Sequence, residues 1–382
     1  MNAHRFAWWR LAPLLILLVA LAPRAISLGA FVTADEPMWL ERSIWFVLGV
    51  TQGDQDSLWR VVYGDTVGAP ASALPGLLPM PLPLVGFGTT VFLTSALTGG
   101  PAPGQHTYSE TIVLLGQTAW FTVLLTSLVV VATYWLLVPL WGRPTALLAT
   151  LILALDPYFI GLSRVVGVDA LLGSLMLLAT LALLRATTGN GRQRVWNLGL
   201  AGAGALLALL TKIPALFLLP FAGVVFVYGT VSRRNERWQT RAGFLIMGLT
   251  WVLIVLAAAF AVLTLVWQDA GRTLGVLVDA VSAGVTQAHE GGSYAFGIPG
   301  QPLDASFYVW ALALRATPFT LVGLALAIIA GLISIRWWRE PHIGAVLLLL
   351  VYLVGFWAMM TLGAKKQDRY ILPALLALDL VA

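Results

Sequence analysis

Long apolar runs dominate the chain and leave it few ways to fold. They cover residues 111–140, 145–162, 170–184, 196–210, 213–228, 242–267, 307–335 and 343–362, after an earlier run at 11–28. Backbone N–H and C=O groups in hydrocarbon must satisfy one another, which helices and closed barrels alone achieve. Unbroken apolar runs read as helices, since about 20 residues cross the hydrocarbon core. The expected fold class is an all-α polytopic membrane protein. The runs at 170–184 and 196–210 fall below the usual ~17–25 residues, so those helices extend into their polar flanks or are shielded by protein. Composition agrees: 59% of the 382 residues are hydrophobic and 10% charged, where soluble domains carry about 25% charged residues.

The absence of cysteine excludes disulfides, thiolate metal sites and thiol nucleophiles. The histidines, His4, His106, His289 and His342, show no helical ligand spacing, so a His-rich metal site is not expected. A net charge of +5 could suggest nucleic acid, but the basic residues sit in short loops between apolar runs and read as orientation signals. No nucleic-acid partner is expected.

The run at 11–28 follows His4, Arg5 and Arg10 and could be a signal peptide. Arg24 breaks the small-residue cleavage pattern, so a retained anchor with a cytoplasmic N-terminus is the better reading. Residues 29–110 then form a first external loop containing Asp35, Glu36, Glu41, Asp54, Asp56 and Asp65. Within it, residues 37–50 suit an amphipathic helix in the interface plane. Residues 74–97 are apolar, but Pro75, Pro79, Pro81 and Pro83 argue for an interfacial or re-entrant segment, with a span starting near Leu84 as the alternative. Residues 268–306 form a second large external loop. This arrangement leaves Arg143, Arg185, Arg192, Arg194, Arg233, Arg234, Arg237, Arg241, Arg336 and Arg339 inside, as the positive-inside rule asks. Residues 1–382 read as one transmembrane domain of the plasma (inner) membrane. Residues 371–382 rise only about 18 Å as helix, so the C-terminal end reads as part of a longer frame.

Polar residues gather on the external side. Besides Asp35-Glu36 there are Asp156-Pro157-Tyr158 leading to Ser163-Arg164 and Asp169, the turn Thr211-Lys212-Ile213-Pro214, the 268–306 loop, and Lys365-Lys366-Gln367-Asp368-Arg369-Tyr370. Each has an ordinary explanation. Asp35-Glu36 is otherwise a solvated loop pair, and Asp169 a helix cap. Cations beside a span otherwise snorkel to the interface. Three cations at an external position run against the positive-inside bias, and an anionic ligand accounts for them. Carboxylates suit general-base activation of a hydroxyl or amine, and cations suit a phosphate leaving group. An apolar groove between helices would take an isoprenoid tail.

With these stretches, the chain resembles the GT-C fold glycosyltransferases of the protein O-mannosyltransferase and aminoarabinose-transferase group (glycosyltransferase family 39-like). The likeness rests on Asp35-Glu36, on Ala154-Leu155-Asp156-Pro157-Tyr158 through Ser163-Arg164 to Asp169, and on Lys212-Ile213-Pro214-Ala215. It rests further on Phe307-Tyr308 running into Arg315-Ala316-Thr317-Pro318, and on Lys365 through Pro373. The resemblance implies a GT-C transmembrane bundle with interfacial helices in its first external loop. It implies an inverting transferase that takes sugar from a polyprenyl-phosphate-linked donor and gives it to a protein, lipid or glycan acceptor outside the cytoplasm. Asp35 would be the catalytic base with Glu36 beside it. Arg164, Lys212, Lys365, Lys366 and Arg369 would bind donor phosphate, with Asp169, Tyr370, Asp304 and Tyr308 as further site candidates. No cofactor is required, although metal use varies across the fold and a divalent ion is compatible with it.

The chain departs from the pattern in two places. It has Leu74-Pro75-Gly76 where bacterial relatives commonly have His-Pro-Gly, and Asp304-Ala305-Ser306 where they often have Asp-Pro-Gly. The alternatives are a transporter or flippase for a lipid-linked substrate, and a degenerate, non-catalytic relative.

Overall fold

The computed structural model describes residues 8–54, 58, 80–101, 103, 106–233, 237–287, 293–295, 298–301, 303–333 and 343–382. Leu74-Pro75-Gly76, Asp56, Asp65, Arg60, Arg234, Arg336, Arg339, His289 and Glu290 lie outside the described residues. Within them the chain is a helical bundle, and six helices are long and apolar enough to cross a membrane, or up to eight if each of two bent pairs is one span.

Helix α1, Ala12–Ala25, stops before the end of the 11–28 run, where Ser27 takes a φ of +54°. Helix α2, Glu36–Gln52, realises the amphipathic segment and buries Leu40, Ile44 and Phe46. Helix α3, Pro81–Thr98, packs on α2 through Gly88, where a Cβ would stand 2.4 Å from the Ser43 carbonyl oxygen. Helix α4, Tyr108–Trp141, is the longest. Helix α3, expected to be interfacial or re-entrant, is long and apolar enough to cross a membrane. Phe87 meets Phe121 edge-on at 5.7 Å, and the Ser95 hydroxyl donates to Gln117 Oε1 at 2.8 Å.

The run expected at 145–162 is not one helix. Helix α5, Arg143–Leu155, and α6, Pro157–Ser163, meet at a 58° bend. Pro157 withholds an N–H and pushes the preceding residue out of the helical region. Asp156 accordingly sits at φ −61°, ψ 118° and caps α6 by accepting from Phe159 N at 2.6 Å. Helix α7, Asp169–Thr188, is the core of the bundle and is buried on nearly every face. Helix α8, Gly191–Leu209, returns beside it, a 3-10 turn runs over Ile213–Phe217, and α9, Leu218–Ser232, follows. Helix α10, Trp238–Trp267, carries much of the exposed apolar surface, including Leu249, Leu253 and Leu265.

The 268–306 segment is not simply loop. It holds an amphipathic helix α11, Ala270–Thr286, capped by Asp269 accepting from Arg272 N at 2.9 Å. An antiparallel ribbon, β1 Ser293–Ala295 with β2 Ile298–Gln301, is paired Ser293 to Gln301 and Ala295 to Ile298. The run expected at 307–335 is also broken. Helix α12, Phe307–Arg315, and α13, Pro318–Ile333, bend by 107° where Pro318 excludes a continuous helix. Helix α14, Ile343–Leu362, a 3-10 turn at Asp368–Ile371, and α15, Leu372–Val381, complete the described chain. Helix α15 packs against α14, α7 and α5, and its residues 372–380 are all buried.

The two ends of the bundle differ in charge. Helix α7 begins at Asp169 and carries Arg185 about 24 Å away. At the arginine end, Arg194 donates to Gly189 O at 2.7 Å and Arg233 to Thr187 O at 2.5 Å. Asp35, Lys212 and Arg369 lie at the Asp169 end.

Candidate active site

Helix starts and tight turns supply the groups at the Asp169 end. Asp35 occupies the cap position of α2, but its side chain caps no backbone N–H. Its carboxylate instead meets Arg369 Nη2 at 2.5 Å. Asp169 opens α7 without capping it, and it binds two cations: Lys212 Nζ on Oδ1 at 2.5 Å and Arg369 Nε on Oδ2 at 3.4 Å. Of the two sequence readings of Asp169, the helix cap is not realised. Arg369 therefore bridges carboxylates from two different helices. Its Nε also reaches Gln367 Oε1 at 2.7 Å, and Tyr370 lies under Lys212 Nζ at 4.0 Å from the ring centroid. Burial alone would lower the Arg369 pKa, but the charges of Asp169 and Asp35 outweigh it and leave the guanidinium above its ordinary value.

Exposure is graded across this cluster. Asp169 keeps 9% of its side chain exposed, Lys212 22%, Arg369 33% and Asp35 40%. The inner carboxylate is thus fixed between cations, while the outer one faces whatever enters.

Glu36 has another use. It is 4% exposed, and its carboxylate accepts Thr33 N at 2.6 Å and Val166 N at 2.9 Å. It pins the turn before Asp169 to the start of α2. Arg164 is also occupied elsewhere, donating to the carbonyls of Ile26 at 2.5 Å and Ser27 at 3.3 Å beyond the end of α1. The remaining sequence candidates form a neighbouring group. Lys366 is 8% exposed and donates to Gly363 O at 2.7 Å, while the buried Tyr308 hydroxyl accepts Gln367 N at 3.4 Å. Asp304 is exposed; hydrogen bonds from the Ser306 hydroxyl and amide hold its carboxyl below the usual range, with the Lys366 charge adding to them. Lys365 is half-buried and makes no ion pair among the described residues.

Residues that the sequence singles out without a site role complete the picture. Asp368, next to Arg369, pairs with Arg315, whose guanidinium lies 4.8 Å over the Tyr158 ring. Arg315 and Tyr158 in turn line a cavity of about 720 Å³ between α5–α6 and α12–α13, otherwise walled by apolar residues such as Leu148, Ile152, Leu155 and Phe319. The polar cluster and an apolar groove are therefore adjacent, joined through Asp368 and Arg315. The proline at 318 and the aromatic at 158 were the available signals for this groove. Among the described residues no three His, Cys, Asp or Glu gather to hold a metal ion.

A family model, dolichyl-phosphate-mannose-protein mannosyltransferase, matches residues 105–274, less than half of the chain. No curated protein matches it in sequence. Solved structures resemble it over nearly its whole length. ArnT from Cupriavidus metallidurans bound to undecaprenyl phosphate superposes with a TM-score of 0.65 at 16% identity, covering 96% of this chain and 58% of that one. The archaeal oligosaccharyltransferase AglB from Archaeoglobus fulgidus, in complex with an inhibitory peptide and a dolichol-phosphate, gives 0.57 at 13% identity, covering 98% and 50%. The chain thus spans between half and 58% of the length of these proteins.

Proposed function

The chain has the fold of the GT-C glycosyltransferases, and from that premise we propose that it is a membrane glycosyltransferase using a polyprenyl-phosphate-linked sugar. The observation that carries this reading is the bridge Asp35–Arg369–Asp169–Lys212 standing beside an apolar groove. The family model over residues 105–274, and the undecaprenyl phosphate and dolichol-phosphate in the two structural relatives, support a lipid phosphate as the donor's carrier.

In this reading the prenyl tail enters the groove walled by Leu148, Leu155 and Phe319, and its phosphate meets Lys212 and Arg369. Phosphate oxygens then replace Asp35 on Arg369, which frees the most exposed carboxylate of the cluster. Asp35 takes the proton from an acceptor hydroxyl or amine as that atom attacks the anomeric carbon. The bond from this carbon to the phosphate oxygen breaks on the opposite face, and the leaving electron pair stays on the phosphate, where the cations stabilise it. Configuration inverts. Lys365 and Lys366 are assigned to the outer part of the phosphate path, with Tyr370 as the platform for Lys212. Glu36 and Arg164 support the geometry. The site faces away from the cytoplasm, in the plasma membrane, because the arginine-rich end of the bundle is the one favoured inside. No resident metal is called for, so chelation is expected to leave turnover unchanged.

The test is consumption of a polyprenyl-phosphate sugar by the purified full chain, followed by chromatography, in wild type and Asp35→Asn. Undiminished turnover in the variant overturns the role of Asp35. Lipid movement across proteoliposomes without sugar transfer points to transport instead.

A further inference from the structure

Three ionisable side chains that the proposed chemistry does not use lie in the core: Arg24, Asp156 and Asp379, each 0% exposed. They belong to α1, the α5–α6 bend and α15. Charged residues within membrane helices are rare because burial is costly, and they mark function by default.

Each is tied to one of the two bends that frame the groove. Arg24 Nη1 donates to Ala20 O at 2.8 Å and to Ala154 O at 2.9 Å, a terminal carbonyl of α5 just before its bend. Its guanidinium stacks 4.6 Å over Phe159, the residue whose amide Asp156 caps. Asp379 reaches the other bend. The Thr320 hydroxyl donates to Asp379 Oδ1 at 2.7 Å, and the Thr317 and Thr320 hydroxyls are 2.8 Å apart. Thr320 N donates to Thr317 Oγ1 at 3.1 Å. This hook fixes the start of α13 immediately after its 107° turn. The residues that follow the bends, Pro157 and Tyr158 on one side and Thr317, Pro318 and Phe319 on the other, line opposite walls of the groove.

We propose that Arg24, Asp156 and Asp379 are positioning residues that hold the two bends at a fixed separation and so set the width of the groove. That the groove takes a prenyl phosphate rests on the function proposed above; the width itself does not. The hydrogen bond to Thr320, rather than a second negative charge, is what position 379 must supply.

The chain contains no cysteine, so Leu148→Cys and Phe319→Cys place spin labels on opposite groove walls without background. Distances measured in the full chain by pulsed electron resonance are expected to shift and broaden in Asp379→Ala and in Thr320→Val, and to stay near wild type in Asp379→Asn. Undecaprenyl phosphate binding is expected to weaken about tenfold in the first two, equivalent to about 1.4 kcal/mol, and to be kept in the third. An unchanged distance in a folded Thr320→Val overturns the proposal, as does an Asn variant as disturbed as the Ala one. If Asp379→Ala does not fold, Thr320→Val and Asp379→Asn still decide. A wild-type chain that binds no undecaprenyl phosphate counts against the proposed function, while the label distances continue to test the positioning role.

Discussion

The ion cluster at Asp35 and the polar network at Asp379 are built from the same carboxylates and guanidinium groups under opposite conditions. In the first, Asp35 and Arg369 keep 40% and 33% of their side chains exposed, and Arg369 has two carboxylate partners. Exposed pairs of this kind are worth only about 0.2–1 kcal/mol, so a ligand oxygen can replace one partner at little cost. In the second, Arg24, Asp156 and Asp379 are fully buried and tied to backbone or hydroxyl groups. Removing one member there leaves its buried backbone or hydroxyl partner without that bond, which costs about 1–3 kcal/mol. Exposure, rather than charge count, separates a cluster that can trade partners from one that holds a shape.

The sharpest way to break this comparison is to neutralise one carboxylate in each region. Asp35→Asn is expected to lower turnover by about 10²–10⁴-fold, the usual worth of a general base, with an unchanged unfolding midpoint. Asp379→Asn is expected to leave turnover close to wild type. Equal losses in the two variants would erase the distinction. Next in size is the response to losing a cation. Arg24→Met should cost about 1–3 kcal/mol by denaturant unfolding in detergent, because the buried Ala154 carbonyl loses its side-chain donor. Arg369→Met should cost at most about 1 kcal/mol, while impairing donor binding.

A smaller effect is expected between the two regions, at Glu36. Thr33 N and Val166 N bond different oxygens of the carboxylate, so a glutamine would turn its NH2 group toward one of these donors, and Glu36→Gln should cost about 1–2 kcal/mol. Faster hydrogen exchange at the Val166 amide would check it. The smallest concerns Asp304, whose folded pKa is depressed. Its contribution is present above the ordinary carboxylate range and is lost as pH falls through the depressed folded value. Unfolding midpoints measured against pH should show a slightly flatter acid limb in Asp304→Ala.

Much of the helical layout was legible because apolar runs end where Arg, Asp or Gly begins. The breaks were harder. Hydrophobicity continues across Asp156-Pro157 and across Ala316-Thr317-Pro318, and only the prolines mark the change of direction. Helix α11 was read as loop, since Gly271, Gly275 and Gly284 thin out its apolar stripe. At the site, residue type and membrane side drew attention to Asp35, Asp169, Lys212, Arg369 and Tyr370, which do meet. That Arg164 turns to the Ile26 carbonyl and Glu36 to backbone amides depends on tertiary proximity, which residue type does not encode. Arg24 drew notice only as an awkward residue for a cleavage site, and Asp379 none, because a lone charge in an apolar run carries no sign of its partner.

The bond from Glu36 to Val166 has a mechanical consequence. It joins the start of α2 to the turn before α7, so Asp35 and Asp169 ride on one fixed jaw. The Leu82 amide, bonded to Leu210 O at 3.2 Å, ties α3 and the Lys212 turn into the same jaw. Arg369 belongs to the segment 363–371, which is fastened elsewhere by, among others, a bond from Ala364 N to Val285 O at 3.1 Å, Gln367 N on the Tyr308 hydroxyl and the pairing of Asp368 with Arg315. Asp35 and Asp169 are therefore set against each other through bonds to backbone amides, and Arg369 joins them from a separate segment of the chain.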